Sequence, residues 1–489
     1  MNLDDFLEDG PGTMDGSISQ LIKSMQAGQI SGTQTLGLPL TAQPLKVESL
    51  ETSMKLLEMK LEEIKLFNAI PKMTAHSTVE EFLQLQSYGA SRGGFYSEGE
   101  LSEIEDSTYV RRAEYVKYIQ VTGEVTIQAQ MVRSFVDVMA QETKNKMMWV
   151  MRTANKALTA ANSDMIPDEF NSLYRQHANI GSSTGSIYPS FEDYYNSGVV
   201  IDLRGKSLKQ FNIENGAIGV DDNHGSPNML FAPTKVLSAF SQDYYDKQRI
   251  IIDGRPVTGT VTDIPKAITT TIANINLVGD KSMKNDDPRK LSNAATSLKA
   301  PSAPGGVAAP AIVVDTLSKY QGSEAGNVFY AVSAINKYGE SALTSLNASA
   351  VALAAGSSID LTFAASGGAN PATAFVIYRT KVTTASAPTN ETFYPVFKVS
   401  VGELASGYNG ATNGKVRDRG YYLPGMEQCF LAEVTEEVMS FKQLAPMSKL
   451  DLAVQSMSRR FIVFLFGTPN LYAAKKMIRY INVSPTYVA

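Results

Sequence analysis

The chain has 489 residues, 43% of them hydrophobic and 19% charged, a length that predicts two or more folded units. A net charge of −5, with no basic block, argues against a dedicated nucleic-acid-binding protein. The single cysteine, Cys429, excludes an intrachain disulfide framework, and the longest apolar run, Phe461–Phe466, is far shorter than the roughly 20 residues of a membrane-spanning helix. The N-terminus is acidic where an export signal would be basic, so we expect a cytoplasmic product.

The first 45 residues form a low-hydrophobicity segment rich in Gly, Thr, Ser, Gln and Pro. Without a hydrophobic period this arm cannot fold alone, so we expect it to lie either on a neighbouring subunit or on its own domain. The pattern changes from Val47 to Ile70, where apolar residues recur at three- and four-residue spacing. This spacing predicts an amphipathic helix that ends before Pro71.

The segment Tyr88–Gln130 begins as an acidic, glycine-punctuated loop and continues as an alternating strand. One face of this strand is predicted to carry Tyr109, Arg111, Ala113, Tyr115, Lys117 and Ile119. Neither face is apolar throughout, and a two-stranded ribbon is only marginally stable in water. We therefore expect the ribbon to lie on another surface, such as that of a second subunit.

Two helices are predicted after the ribbon. The longer one runs from Phe135 to about Ala161, and at 1.5 Å per residue it would be roughly 40 Å long. The shorter one is predicted over Ile166–Gln176, with Pro167 near its start. Mixed helix and strand patterns follow, including strand material around Thr258–Ile264.

The composition shifts to Ala, Ser, Pro and Gly at Asn293–Pro310, which predicts a linker. Short alternating strands follow as far as Gly425. The clearest is Tyr330–Asn336, which ends at the Tyr338–Ser341 turn sequence. A mixed helix and strand pattern then returns. We therefore expect residues 298–425 to fold as an inserted β domain, both of whose ends enter the surrounding domain at one place.

No set of residues has the spacing of a catalytic or metal site. His76, His177 and His224 are isolated in sequence, and no nucleophile elbow or phosphate-binding loop is present. The stretch Asp221–Gly225 lacks the spacing of a calcium loop and is interpreted as a turn, and Cys429 as an inert buried thiol. The sequence predicts no catalytic residue, no cofactor, no metal and no enzymatic activity.

Three stretches, Lys65–Phe82, Val199–Phe240 and Arg459–Val483, resemble major capsid proteins of tailed bacteriophages. That family has the Hong Kong 97 (HK97)-like capsid fold, an α+β fold with an N-terminal arm, an E-loop, a spine helix, and peripheral and axial domains. The resemblance implies an arm and helix at 1–75, an E-loop β-ribbon at 76–131, and a spine helix with the first part of the peripheral/axial domain at 132–297. It further implies an insertion at 298–425 and the second part of the peripheral/axial domain at 426–489.

The predicted insertion resembles an immunoglobulin-like or fibronectin type III-like β-sandwich, with Tyr330 as the corner tyrosine. Its strand blocks come in the reverse of the usual order, and it lacks the core tryptophan of that family.

The capsid resemblance implies a structural virion protein that self-assembles into hexamers and pentamers, forming an icosahedral shell around phage DNA. It implies assembly in the host cytoplasm, contacts with scaffold, portal and minor capsid or decoration proteins, weak contacts with double-stranded DNA without sequence specificity, and no membrane partner. Candidate inter-subunit contacts are Tyr109, Arg111, Arg112, Tyr115 and Lys117. For the three cations, a solvated charged face is the other interpretation.

Two alternatives remain open from the sequence. One is a tail tube, sheath or other virion structural protein, against which the long helix and a predicted C-terminal helical segment argue. The other is a cytoplasmic enzyme with an accessory sandwich, which would need a convergent polar site that the sequence does not offer.

Overall fold

The protein has a mixed α and β fold, as predicted. The computed structural model describes residues 64–87, 89, 95–101, 106–131, 137–179, 191–243, 267–285, 289, 298–365, 367–454 and 456–488. The predicted arm, the helix from Val47 to Glu63 and the predicted strand at Thr258–Ile264 lie outside these residues. The helices in the described part are α1 (Leu66–Ala69), α2 (Ile127–Met131), α3 (Val138–Ala160), α4 (Leu173–Ala178), α5 (Phe191–Tyr195), α6 (Gln210–Asp221), α7 (Thr234–Gln242) and α8 (Val401–Ser406).

The strands before residue 298 are β1 (Lys72–Thr74), β2 (Val79–Ser87), β3 (Thr108–Tyr115), β4 (Lys117–Thr126), β5 (Val200–Asp202), β6 (Met229–Ala232), β7 (Ala267–Thr269) and β8 (Asn274–Gly279). The next ten are β9 (Gly305–Val314), β10 (Gly326–Val328), β11 (Tyr330–Asn336), β12 (Gly339–Glu340), β13 (Thr344–Ser345), β14 (Val351–Leu353), β15 (Ser357–Ala364), β16 (Ala374–Thr380), β17 (Phe393–Ser400) and β18 (Lys415–Asp418). The last four are β19 (Glu427–Ala432), β20 (Met439–Asp451), β21 (Ser458–Leu471) and β22 (Met477–Val483).

A six-stranded sheet of order β5-β22-β19-β6-β8-β7 joins strands from both sides of residues 298–425. One face is covered by α6 and α7, whose buried residues share a core with Cys429, Leu431, Ile478 and Tyr480. The thiol of Cys429 is fully buried, and burial raises its pKa, which agrees with the interpretation as an inert thiol.

A second sheet, of order β1-β20-β21-β4, packs against α3. Along β21 the side chains of Phe461, Val463 and Leu465 are 0–1% exposed and alternate with partly exposed residues, as expected of a strand. The predicted C-terminal helical segment is therefore wrong, because β19 to β22 account for this region and no α-helix lies among its described residues. The antiparallel pairing of β21 with β4, more than 300 residues earlier in the chain, decides the outcome, and such pairing between distant residues overrides local periodicity.

Helix α3 confirms the predicted long helix, and Asp137 caps it by accepting hydrogen bonds from the backbone amides of Met139 (2.9 Å) and Ala140 (3.3 Å). The predicted helix over Ile166–Gln176 is wrong for most of its length, since residues 163–165 and 167–168 form turns and α4 begins only at Leu173. The backbone amide of Ser163 donates to the Asn171 side chain at 3.2 Å, a local bond that competes with helix formation.

The strands β9 to β18 pair with one another and with no described strand outside their span. Two sheets, β18-β15-β9 and β12-β11-β16-β17 with β13 beside β11, enclose a common core. Strand β11 is the predicted Tyr330–Asn336 strand. Its residues Tyr330, Val332 and Ala334 face this core, while Phe329, just before it, and Ala331 belong to a second buried cluster. Part of the predicted linker is in fact strand β9, since the backbone of Gly305–Val314 pairs with β15.

Candidate interaction surface

Strands β2 and β3 form an antiparallel two-stranded sheet, hereafter the ribbon, that pairs with no other described strand. Val79 lies opposite Tyr115 and Leu85 opposite Tyr109, so odd-numbered residues of both strands share one face and even-numbered residues share the other. The sequence interpretation missed β2, although Val79, Leu83 and Leu85 at even spacing gave a usable signal.

The odd-numbered face of the ribbon, hereafter the outward face, is exposed and carries large apolar side chains. Leu83 is 72% exposed, Leu85 44%, Tyr109 62% and Tyr115 59%. Between them, Arg111 forms an ion pair with Glu81 on the facing strand. Exposed apolar side chains grouped on one face are typical of interaction surfaces.

The even-numbered face of the ribbon packs on the rest of the chain. The Phe82 and Tyr472 rings meet edge to face at 5.0 Å, and the Gln84 Nε2 donates to the Tyr472 carbonyl at 2.5 Å. The Arg112 guanidinium donates to the Gln84 side chain at 2.6 Å and to the Asn179 carbonyl at 3.5 Å. These contacts hold the ribbon to the body of the chain and leave only its outward face unpartnered among the described residues.

Glu114 lies at the base of the even-numbered face and is 7% exposed. Burial raises the pKa of its carboxyl to about 7, against a smaller opposing effect of the hydrogen bond donated by Asn171 at 2.9 Å. Arg112 lies on the same face of the ribbon, and burial lowers the pKa of its guanidinium. The ribbon is thus anchored by groups whose charges are partly removed from water.

The structure brings three of the five predicted contact residues, Tyr109, Arg111 and Tyr115, onto the outward face. Arg112 faces the body of the chain. The prediction that Lys117 and Ile119 share a face with Tyr109 is wrong, because the alternation changes phase at Val116, which is 4% exposed and separates β3 from β4. Lys117 belongs to β4, and its Nζ donates to the Pro167 carbonyl at 2.5 Å. Whether any of the five contacts another subunit stays a prediction.

Beyond the ribbon strands, the described part of the connecting loop also exposes apolar groups. Phe95 is 101% exposed and Leu101 93%. No packing within the described chain accounts for them. The sequence predicted an acidic, glycine-rich loop here, and these two side chains extend the exposed apolar character of the ribbon into it.

The histidines do not meet in a site. His177 is fully buried and lies between the Tyr194 hydroxyl and the Met477 carbonyl, each 2.6 Å from a ring nitrogen. Burial lowers its pKa to about 3. Residues 222–224 form a turn after α6, as predicted for Asp221–Gly225. In the part of the chain that the structure describes, no group of metal-binding side chains is found and no helix is long and apolar enough to cross a membrane.

Comparison with known proteins gives one relative along nearly the whole chain. It is a protein of Enterococcus phage phiEF24C named "Putative major capsid protein", 23% identical over 452 residues that cover 92% of this chain and 91% of the relative. No protein-family model matches the chain.

Solved structures also match over most of the chain. The holo-SrpI encapsulin complex from Synechococcus elongatus PCC 7942 matches at a TM-score of 0.43 and 8% identity, covering 93% of this chain and 99% of that one. The capsid of a native GTA particle matches at a TM-score of 0.45 and 7% identity, covering 92% of this chain and 100% of that one. The capsid of cyanophage P-SCSP1u matches at a TM-score of 0.42 and 8% identity, covering 92% of this chain and 96% of that one. These three structures are named for capsids and an encapsulin complex.

Proposed function

We propose that this chain is a major capsid protein of a tailed bacteriophage, with an HK97-like fold, that assembles through hexamers and pentamers into an icosahedral shell around phage DNA. The observation that carries the proposal is the end-to-end similarity to the enterococcal phage protein, which spans 92% of this chain and 91% of that relative. A shared domain alone would leave much of one chain uncovered, so similarity of this extent supports a shared overall role.

The ribbon supports the same proposal. As a monomer, the chain would leave Leu83, Leu85, Tyr109 and Tyr115 exposed to water on one face of the ribbon. On assembly, that face would pack on an adjacent copy of the chain. Obligate interfaces bury roughly 2,000–5,000 Å², and extended elements supply such areas more readily than compact ones. Rings of five or six subunits require heterologous contacts, so the proposed contact of this face would be heterologous.

The proposed domains follow the expected order: arm and helix at 1–75, E-loop ribbon at 76–131, spine helix and first part of the peripheral/axial domain at 132–297, and its second part at 426–489. Residues 298–425 are proposed as an inserted immunoglobulin-like or fibronectin type III-like domain. Two sheets around one core, with strands that pair only among themselves in the described residues, support this insertion. Its projection outward from the shell would make it a surface knob.

The proposed location is the virion, with assembly in the host cytoplasm. Proposed partners are other copies of this chain, the scaffold and portal proteins and minor capsid or decoration proteins. A net charge of −5 supports only weak, sequence-independent contact between the shell and packaged DNA.

Electron microscopy of the purified chain, alone and together with its scaffold partner, tests the proposal. Closed shells, or rings of five and six subunits, are the expected result. Tubes or stacked discs would instead favour a tail tube or sheath protein. The C-terminal strands remove one of the two arguments against that candidate, because the sequence had predicted a helical segment there. A chain that stays monomeric under all conditions would overturn both structural candidates.

A further inference from the structure

A cavity of about 660 Å³ opens between the ends of α3 and α4, the six-stranded sheet and the residues around β17 and α8. It therefore lies where the body of the chain meets the inserted strands. Its volume is within the range of pockets that hold small molecules, roughly 300–1,000 Å³. The proposed capsid function makes no use of it.

The cavity is rich in positive charge. Six basic side chains line it (Lys156, Arg175, Lys284, Lys398, Arg419 and Arg479), against three acidic ones (Asp164, Glu192 and Glu403). Two of the six are neutralised within the chain. Arg175 pairs with Asp164 at 2.7 Å, and Arg419 pairs with Asp315 at 2.8 Å and with Glu192 at 3.5 Å.

The remaining acid, Glu403, caps α8 and accepts hydrogen bonds from the backbone amide and the hydroxyl of Ser400 at 2.8 and 3.0 Å. It is therefore committed to the helix end. Near Lys156 and Lys398, Glu169 exerts an attraction on both ammonium groups but forms an ion pair with neither. Among the described residues, Lys156, Lys284 and Lys398 thus reach the cavity without a carboxylate partner.

The sixth cation, Arg479, is buried in the wall of the cavity. Its side chain is 7% exposed and its guanidinium contacts neutral groups: Gln428 Oε1 at 2.5 Å, the Tyr194 hydroxyl at 3.4 Å, the face of the Tyr174 ring at 4.2 Å and the Tyr422 hydroxyl. Its Nε has no hydrogen-bond partner in the described part of the chain. A buried cation is costly unless an opposite charge offsets it, and here no carboxylate of the described chain does so.

We propose that this cavity binds a small phosphate-bearing anion, held by Lys156 and Lys398 at the opening and by the field of Arg479 beneath them. Phosphate oxygens accept several charge-assisted hydrogen bonds at once, and a wall of ammonium and guanidinium donors offers these. The phosphate group belongs to a free anion or to the terminus of a nucleotide or nucleic acid; the chemistry of recognition is the same in each.

Isothermal titration calorimetry of the full-length chain with inorganic phosphate, and separately with inorganic pyrophosphate, tests the proposal. Sodium chloride is adjusted to hold ionic strength constant. The expected result is saturable binding of one anion per chain, tighter for pyrophosphate. The variants Lys156→Gln and Lys398→Gln should each weaken binding about tenfold to a hundredfold, the effect of losing one charge-assisted hydrogen bond. Both side chains are exposed in surface area, and burial of the Lys398 ammonium lowers its pKa, so glutamine removes a partly desolvated charge there and both variants are expected to fold.

A matched control lies on the same helix as Lys156. Lys144 is exposed and lies twelve positions, about 18 Å, before Lys156 on α3, so Lys144→Gln should bind phosphate like the parent chain. Competition by a short DNA duplex at equal phosphate concentration identifies the source: displacement points to a nucleic-acid phosphate and its failure to a free anion. Heats that do not saturate, or equal binding by all three variants, would overturn the proposal.

Discussion

Arg379 and Asp418 form an ion pair in the interior of the region built by β9 to β18, with Nη1 and Oδ2 2.8 Å apart and each side chain only 2% exposed. Arg379 lies on β16 and Asp418 on β18, which belong to different sheets. The Tyr330 hydroxyl donates to the same carboxylate at 3.0 Å, and the Gly420 amide donates to its other oxygen at 2.9 Å. The pair therefore links the two sheets through one satisfied polar network.

Removal of one partner should destabilise this region strongly. We expect Asp418→Ala to lower the free energy of unfolding by about 3–5 kcal/mol, because it leaves the Arg379 guanidinium buried and uncompensated. The double variant Arg379→Met/Asp418→Leu should cost far less than the single one, since it removes both charges. Urea denaturation of the two variants provides the measurement, and a single variant within about 1 kcal/mol of the parent would contradict it.

A close approach between α6 and β22 leaves no room for a side chain at Gly216. A Cβ at this position would fall on the hydroxyl of Tyr480, which is fully buried and donates to the Asn212 carbonyl at 3.1 Å. Gly216→Ala should therefore cost about 1–3 kcal/mol through overpacking. Tyr480→Phe in the same chain should restore part of the loss. Gly322→Ala, where a Cβ meets nothing within 4 Å, is the control and should leave thermal stability near that of the parent.

Stability near neutral pH should depend on Glu114. Its pKa is about 7 in the folded chain against 4.5 for an unperturbed glutamate, so the folded state holds a proton that the unfolded state releases between these values. The free energy of unfolding should therefore fall as pH rises from 4.5 to 7, by about 3 kcal/mol from this group alone. Glu114→Gln cannot ionise and should remove this decline, becoming the more stable chain at pH 8.

Asn171 offers an internal check on that interpretation. Its side-chain amide donates to Glu114 and lowers the carboxyl pKa, so Asn171→Ala should extend the pH-dependent decline to higher pH. Urea midpoints measured from pH 4.5 to 9 on both variants suffice. A parent chain whose stability does not change over this range would count against a protonated Glu114.

His177 should limit stability in acid. The folded chain keeps its ring neutral because burial lowers its pKa to about 3, whereas the unfolded chain binds a proton below about 6.5. The contribution of the neutral ring to the free energy of unfolding is intact above pH 6.5. It is lost as the pH falls towards 3, at about 1.4 kcal/mol per pH unit. His177→Gln should be less stable at pH 8 through lost hydrogen bonds, yet show a shallower loss below pH 6. Parallel pH profiles for the two chains would refute this.

The outward face of the ribbon should be required for assembly and dispensable for folding. A charge on its outward face, as in Leu83→Glu or Tyr109→Glu, would have to be desolvated in the proposed subunit contact, so shells or rings should be lost. Because both side chains are more than 60% exposed, the melting temperature of the unassembled chain should change little. Val314→Asp, at an 89% exposed position on β9, is the matched control and should assemble. Normal assembly by both ribbon variants would argue against this face as an interface.

Elements with a strong local pattern could be predicted from the sequence. The stretch of α3 without Gly or Pro, apolar over much of its surface, and the alternation through Tyr330–Asn336 each gave the right element, since a buried face imposes its period on the residues that form it. The glycine and proline of the apparent linker were misleading, because Gly305–Val314 obtains its hydrogen bonds from β15, about 50 residues away.

The tertiary structure alone decided the candidate surface and the C-terminal fold. Local alternation gave Tyr109, Arg111 and Tyr115 a common face but could not locate the change of phase at Val116, where the chain leaves one sheet for another. The strands β20 and β21 likewise depend on pairing with each other and with β1 and β4. The sequence by itself determined which segments had a face to bury. Which surface each face met, and which faces stayed unburied, was determined by contacts between residues far apart in the chain, and no local period records those contacts.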